Sequence, residues 1–103
     1  MIARTWRGRT STARADAYVR HFTDNVLPEL KSLAGHRGAY LLRSEVDGTT
    51  EFTAVTLWES RDSIKAFSGD DISRAHVEPE ARAVLSDFDV HADHYEVVVS
   101  AVS

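Results

Sequence analysis

The chain has 103 residues, 43% of them apolar and 27% charged, with no cysteine and a net charge of -4. This is one domain, residues 1–103, with an ordinary globular balance that excludes a disordered chain, a disulfide framework, a thiolate metal site and an Fe–S cluster. The mild acidity argues against a nucleic-acid partner. No apolar run nears the roughly 20 residues of a membrane span, and Met1-Ile2-Ala3-Arg4 is no signal peptide, so a cytoplasmic protein off the membrane is expected.

Ile2 to Arg7 has no helix breaker and predicts a strand ending at Gly8, with Ile2, Arg4 and Trp6 on one face. Ser11 and Thr12 offer capping oxygens to a helix. Along it Ala15, Tyr18, Phe22, Val26, Leu30 and Leu33 recur in steps of 3, 4, 4, 4 and 3, a single apolar stripe. Pro28 should bend or interrupt the last turns, and Gly35 ends the element.

Ala39 to Val46 and Glu51 to Glu59 read as strands around the turn pair Asp47-Gly48. From Phe52 to Trp58 there is no charge and both faces carry bulky residues, which predicts a central strand covered on both sides. Ser60 caps a short helix holding Ile64 and Phe67 and ended by Gly69. Asp70 to Val77 reads as another short helical turn, and Pro79 opens a third piece running through Val84 and Leu85. His94 to Val99 closes the chain as a strand.

Strand, long helix, strand, strand, broken helix, strand is the ferredoxin-like βαββαβ order. It is an α+β fold with a four-stranded antiparallel sheet and helices on one face. The other face needs a cover if the middle strand is dry on both sides. The simplest cover is a second copy packed sheet to sheet, so a homodimer is expected.

Trp58-Glu59-Ser60, the following helix with Phe67, and the Gly69-Asp70-Asp71 turn resemble the antibiotic biosynthesis monooxygenase family. So do Ile2 to Gly8, the Arg37 to Arg43 stretch and the terminal His94-Tyr95-Glu96-Val97. The resemblance implies a dimeric α+β barrel. That fold hosts quinone-forming monooxygenases, haem-degrading oxygenases and other small enzymes, so it leaves the chemistry open.

Arg4 is the first candidate for chemistry, because a guanidinium on a central strand must meet an acid, carbonyls or a wet cavity. Glu96 is its expected acidic partner if the role is structural. In the functional reading Arg4 holds an anionic or carbonyl-bearing ligand beside Trp6. The aromatics Trp6, Tyr18, Phe22, Tyr40, Trp58 and Phe67 are either core or the walls of a pocket for a flat hydrophobic molecule. The quinone-forming enzymes that the chain resembles oxidise polycyclic phenols without flavin, metal or haem. On that basis Arg4, Trp58 and Tyr40 are the expected catalytic residues, with Trp6, Tyr18, Phe22, Phe67 and His76 binding the ligand and no cofactor required.

Haem is the alternative cofactor. In the haem-degrading relatives a tryptophan and then an iron-ligating histidine follow the Trp-Glu-Ser motif. Phe67 and His76 stand near those places, one residue closer together, while the first strand lacks the asparagine such relatives carry. A non-enzymatic ligand-binding dimer is the third reading. No metal site is expected: His91 and His94, three apart on a strand, point to opposite faces, and His21 and His36 stand alone.

Overall fold

The computed structural model describes residues 1–102. Its middle strand, β1 (Ile2–Ser11), leads through a 3-10 turn (Thr12–Arg14) into α1 (Ala15–His21), a π turn (Phe22–Val26) and α2 (Leu27–Ser32). Then come β2 (His36–Val46), β3 (Thr49–Trp58), α3 (Arg61–Ser68), α4 (Pro79–Val84), β4 (Asp87–Phe88) and β5 (Asp93–Glu96). The sheet is antiparallel in the order β2-β3-β1-β4, with β5 also on β1. The fold is the α+β, ferredoxin-like arrangement that the element order predicts. The expected fourth strand is split: β4 pairs with Gly8 and Arg9, and β5 with Ile2 to Thr5.

The π turn explains the spacing of the apolar stripe. In an α-helix each step of four residues overshoots a full turn by about 40°, so repeated steps of four drift around the axis. Winding an extra residue into one turn takes up that drift. Tyr18, Phe22 and Leu30 consequently all reach the core. The backbone stays helical through Val26 and Leu27, so Pro28 sits inside a continuous helix. The interruption expected of it takes the form of the π turn just before it, where Leu27 N–H already reaches back five residues to the Phe22 carbonyl.

The core lies between the helices and one sheet face. Ala15, Tyr18, Phe22, Phe52, Ala81 and Leu85 form one buried cluster, and Leu30, Trp58 and Ile64 form a second. Ser60 and Ser63 cap α3 reciprocally: each backbone N–H donates to the other's hydroxyl, at 3.3 and 3.2 Å.

Three expectations need correction. β1 runs past Gly8 to Ser11 because the missing Cβ at Gly8 leaves room for the Trp6 ring, which a Cβ would meet at 2.9 Å. Asp70 to Val77 is not helical. Its amides bond across to the last part of the chain, with Ala75 N–H donating to the Val90 carbonyl at 3.0 Å, and the Ser73 carbonyl accepts from Ala92 N–H at 2.8 Å. The last strand stops at Glu96. Val97 N–H still donates to the Met1 carbonyl, but Val98 and Val99 lie beyond the reach of β1 and are exposed. On the single chain Phe52, Thr56 and Trp58 of β3 are buried under the helices, whereas Thr53, Val55 and Leu57 are half-buried on the open face, the side on which a second copy is expected. No helix among the described residues is long and apolar enough to cross a membrane.

Candidate active site

Strand alternation sends Arg4, Trp6, Ala54 and Thr56 toward the helices, and the helical stripe answers with Tyr18 and Phe22. Between them lies a cavity whose enclosed space is about 50 Å³, room for a few waters. Counting its mouth, it widens to about 560 Å³. Phe67, His76 and Glu78 stand along its rim.

Arg4 is 4% exposed. One terminal nitrogen donates to the Ile72 carbonyl and to His94 Nε2, the latter at 2.9 Å, and the other donates to the Arg74 carbonyl at 3.0 Å. Glu96 is not its partner, because the β1/β5 register sets His94 opposite Arg4 and Glu96 opposite Ile2. Among the described residues no carboxylate pairs with this guanidinium. Burial alone pulls its pKa down to about 10, so it stays cationic at neutral pH. Three of its five N–H groups are committed, which leaves two for a ligand.

The other polar groups divide clearly. Trp6 Nε1 donates to the Asp89 carbonyl at 2.7 Å, so its indole N–H is occupied and the ring serves as an apolar wall. Tyr18 makes no hydrogen bond among the described residues. Burial first, then the Glu78 charge, pushes its phenol well above the ordinary value, so the hydroxyl remains a donor. Its ring lies 4.9 Å from Phe52 and 6.4 Å from Trp6, centroid to centroid.

The structure brings together Arg4, Trp6, Tyr18, Phe22, Phe67 and His76 around the cavity. Trp58 and Tyr40 do not reach it. Trp58 is fully buried with Leu30 and Ile64, and its N–H donates to Thr56 Oγ1 at 2.8 Å. Tyr40 faces the other side of the sheet, because β2 turns Leu41, opposite Ala54, toward the helices and hence Tyr40, opposite Val55, away from them. It is 52% exposed.

Three polar side chains to which the sequence assigns no chemistry, His21, Glu29 and Glu78, stand with His76 near the mouth. His76 Nε2 lies 3.9 Å from an oxygen of Glu29 and 3.9 Å from one of Glu78. His21, 7% exposed, turns Nε2 toward the second Glu78 oxygen at 4.0 Å. His21 follows Tyr18 by three positions, on the flank of the buried stripe, and that spacing was the available signal. Burial and the neighbouring Glu78 carboxylate hold Glu29 above the usual carboxylate range.

Comparison with known proteins supplies the lineage. The model of the antibiotic biosynthesis monooxygenase family matches residues 1–79. No curated protein sequence matches the chain. Among solved structures, a Bacillus cereus protein described as an antibiotic biosynthesis monooxygenase superposes with a TM-score of 0.66 at 19% identity, over 100% of this chain and 96% of that one. SnoaB, a cofactor-independent oxygenase from Streptomyces nogalater, gives 0.65 at 10% identity over 96% and 95%. The haem degrader MhuD of Mycobacterium tuberculosis, with two haems in its active site, gives 0.63 at 18% over 99% and 100%. At these identities the neighbours show a shared fold, and with the family match over more than three quarters of its length the chain belongs to the antibiotic biosynthesis monooxygenase family.

Proposed function

We propose that the protein is a cytoplasmic, cofactor-independent monooxygenase that oxidises an electron-rich phenol of aromatic or polyketide-like type in the cavity between sheet and helices. The observation that carries this reading is Arg4, a buried cation held only by carbonyls and a neutral imidazole. Among the described residues its charge has no anion to answer it, so an anionic ligand is the natural complement. A phenolate bound there would be stabilised relative to its phenol, and a lowered phenol pKa makes the electron-rich, oxygen-reactive form available at neutral pH. Tyr18 would donate to a second ligand oxygen, while Trp6, Phe22 and Phe67 hold the flat ring and exclude water. In oxidation of a ring CH2 to a carbonyl, the substrate supplies all four electrons. One oxygen atom enters the product and the other leaves as water.

The haem reading has less support. The nitrogen of His76 that would meet iron is flanked by two carboxylates at 3.9 Å, and a macrocycle seated there would have to displace both. A role in binding alone draws on the narrowness of the enclosed space, since a polycyclic ligand must occupy the wider mouth as well. The working unit in this proposal is a homodimer with the open sheet faces together, because Tyr40, Leu42 and Tyr95 leave that face apolar and exposed.

The test is oxygen uptake with a hydroxyanthrone in metal- and flavin-free buffer, for wild type and Arg4→Gln. Uptake stoichiometric with quinone formation, falling about 100-fold or more in the variant, is expected. Ligand binding without oxygen consumption would leave only the binding role. A shift of the Soret band on adding haem would restore the haem reading.

A further inference from the structure

The mouth of the cavity gathers a second set of groups that phenol oxidation does not use. Glu29 comes from α2, and His76 and Glu78 come from the segment between α3 and α4. One ligand atom from each, an imidazole nitrogen and two carboxylate oxygens, all lie within 4.8 Å of one another. The π turn contributes to this meeting. Glu29 follows His21 by eight positions, and with one extra residue wound into the helix they span close to two turns, which brings both side chains to one flank.

As an ion-pair cluster the arrangement is unbalanced. Two carboxylates share one imidazole, and no Lys or Arg pairs with Glu29 or Glu78 among the described residues. A divalent cation would supply the missing charge. At metal–ligand distances near 2.1 Å, tetrahedral ligand atoms stand about 3.4 Å apart, so the two 3.9 Å separations from His76 need to contract by about half an ångström and the Glu29–Glu78 pair, within 4.8 Å, by about 1.4 Å at most.

A separate observation comes from His21. Its ring is more than nine-tenths buried, and Nε2 has no hydrogen-bond partner. Asn25 donates to Nδ1 at 3.1 Å, which leaves the ring proton on Nε2, facing Glu78 Oε2 at 4.0 Å. A buried donor stranded just beyond hydrogen-bond range is costly. It would be satisfied if Glu78 moved toward it while engaging a cation through Oε1, the oxygen that faces His76. That is the outer-shell geometry by which a histidine N–H orients a ligating carboxylate.

We propose that Glu29, His76 and Glu78 bind a divalent first-row cation, Zn2+ for preference, with His21 positioning Glu78 and a coordination place left open toward the cavity. One nitrogen and two carboxylate oxygens with an open place make a mixed set that Zn2+ accepts readily.

The experiment is isothermal titration of the whole protein with Zn2+, and with Co2+ followed by its visible absorption. One equivalent per chain is expected, with intense d–d bands of low-coordinate Co2+. His76→Ala and Glu29→Gln should each weaken binding at least tenfold, and His21→Phe by a smaller factor with the stoichiometry kept. His91→Ala should leave the site intact. Absence of binding at about 100 micromolar Zn2+ would overturn the proposal and leave a plain ion-pair cluster. So would uptake that neither His76→Ala nor Glu29→Gln changes. Neither result depends on whether a phenol is oxidised.

Discussion

The guanidinium of Arg4 and the imidazole of His94 meet at 2.9 Å, Nη1 to Nε2, on neighbouring strands. Arginine has no acceptor, so the histidine nitrogen accepts and the ring is neutral, with its proton on Nδ1. Burial, then repulsion from Arg4 and Arg61, lowers the His94 pKa below the ordinary histidine value. The unfolded chain therefore takes up a proton at higher pH than the folded one. Stability from this group is constant above about pH 6.5 and falls as pH drops through that value toward the folded pKa. Urea denaturation between pH 8 and 5 should show this loss, and His94→Gln, which keeps an acceptor for Arg4 but does not titrate, should reduce the slope. An NMR titration in which His94 ionises at or above the free-histidine value would refute the assignment.

Arg4 also ties the segment from Asp70 to Val77 to the sheet, through the carbonyls of Ile72 and Arg74. Lysine would keep the charge but cannot spread donors over three acceptors in one plane. Arg4→Lys should cost about 2–4 kcal/mol in urea unfolding, the range for buried charged groups left partly unsatisfied. Hydrogen exchange should rise in residues 70–77 before it rises in β3. Uniform loss of protection across the chain would mean that Arg4 does not anchor that segment.

How far the sequence reveals this molecule depends on the range of each interaction. Strand alternation and turn chemistry are local, and they place Arg4 beside Trp6 and locate the Asp47-Gly48 hairpin directly. The repeated steps of four from Tyr18 to Leu30 already contain the π turn, although the stripe alone reads as plain helix. Tyr40 shows the limit. Its face depends on the phase of β2 against β3, and Ala39, Tyr40, Leu41 and Leu42 are apolar on both phases, so alternation could not choose. The non-helical path of residues 70–77 is set by bonds to Val90 and Ala92, which no local pattern announces. His21, Glu29 and Glu78 were invisible for the same reason, being distant in sequence and joined only through the packed helix.

Gly35, just before β2, has φ near 87°, and a Cβ there would lie 2.5 Å from the Ser63 Cβ. That atom is fixed to the backbone of α3 and cannot swing aside. Gly35→Ala should therefore destabilise by about 3 kcal/mol or more, combining backbone strain with overpacking. Gly35→Asn separates the two causes, since asparagine tolerates positive φ. If the contact with Ser63 governs, asparagine is no better than alanine in thermal or urea unfolding. If it restores most of the stability, the backbone angle alone is responsible.

On the open face of the sheet Val55 stands between Thr5 and Tyr40, and Leu57 lies beside Ala3, which in turn pairs with Tyr95. Tyr40, Leu42 and Tyr95 are each about half exposed there, large apolar side chains on one face of a single chain. In a two-fold dimer every substituted residue occurs twice near the axis, so one added charge per chain becomes a repelling pair in a dry interface. Tyr40→Lys and Leu42→Glu should each weaken dimerisation 100-fold or more, read as halved mass in sedimentation at micromolar concentration. The far-ultraviolet spectrum should not change, because neither side chain packs in the core. Since Tyr40 points away from the cavity, loss of activity in Tyr40→Lys should track loss of the dimer and recover at high protein concentration. Activity that stays lost in a fully dimeric sample would instead give Tyr40 a direct part in the chemistry, and a wild-type protein that sediments as a single chain would remove the sheet-to-sheet pairing altogether.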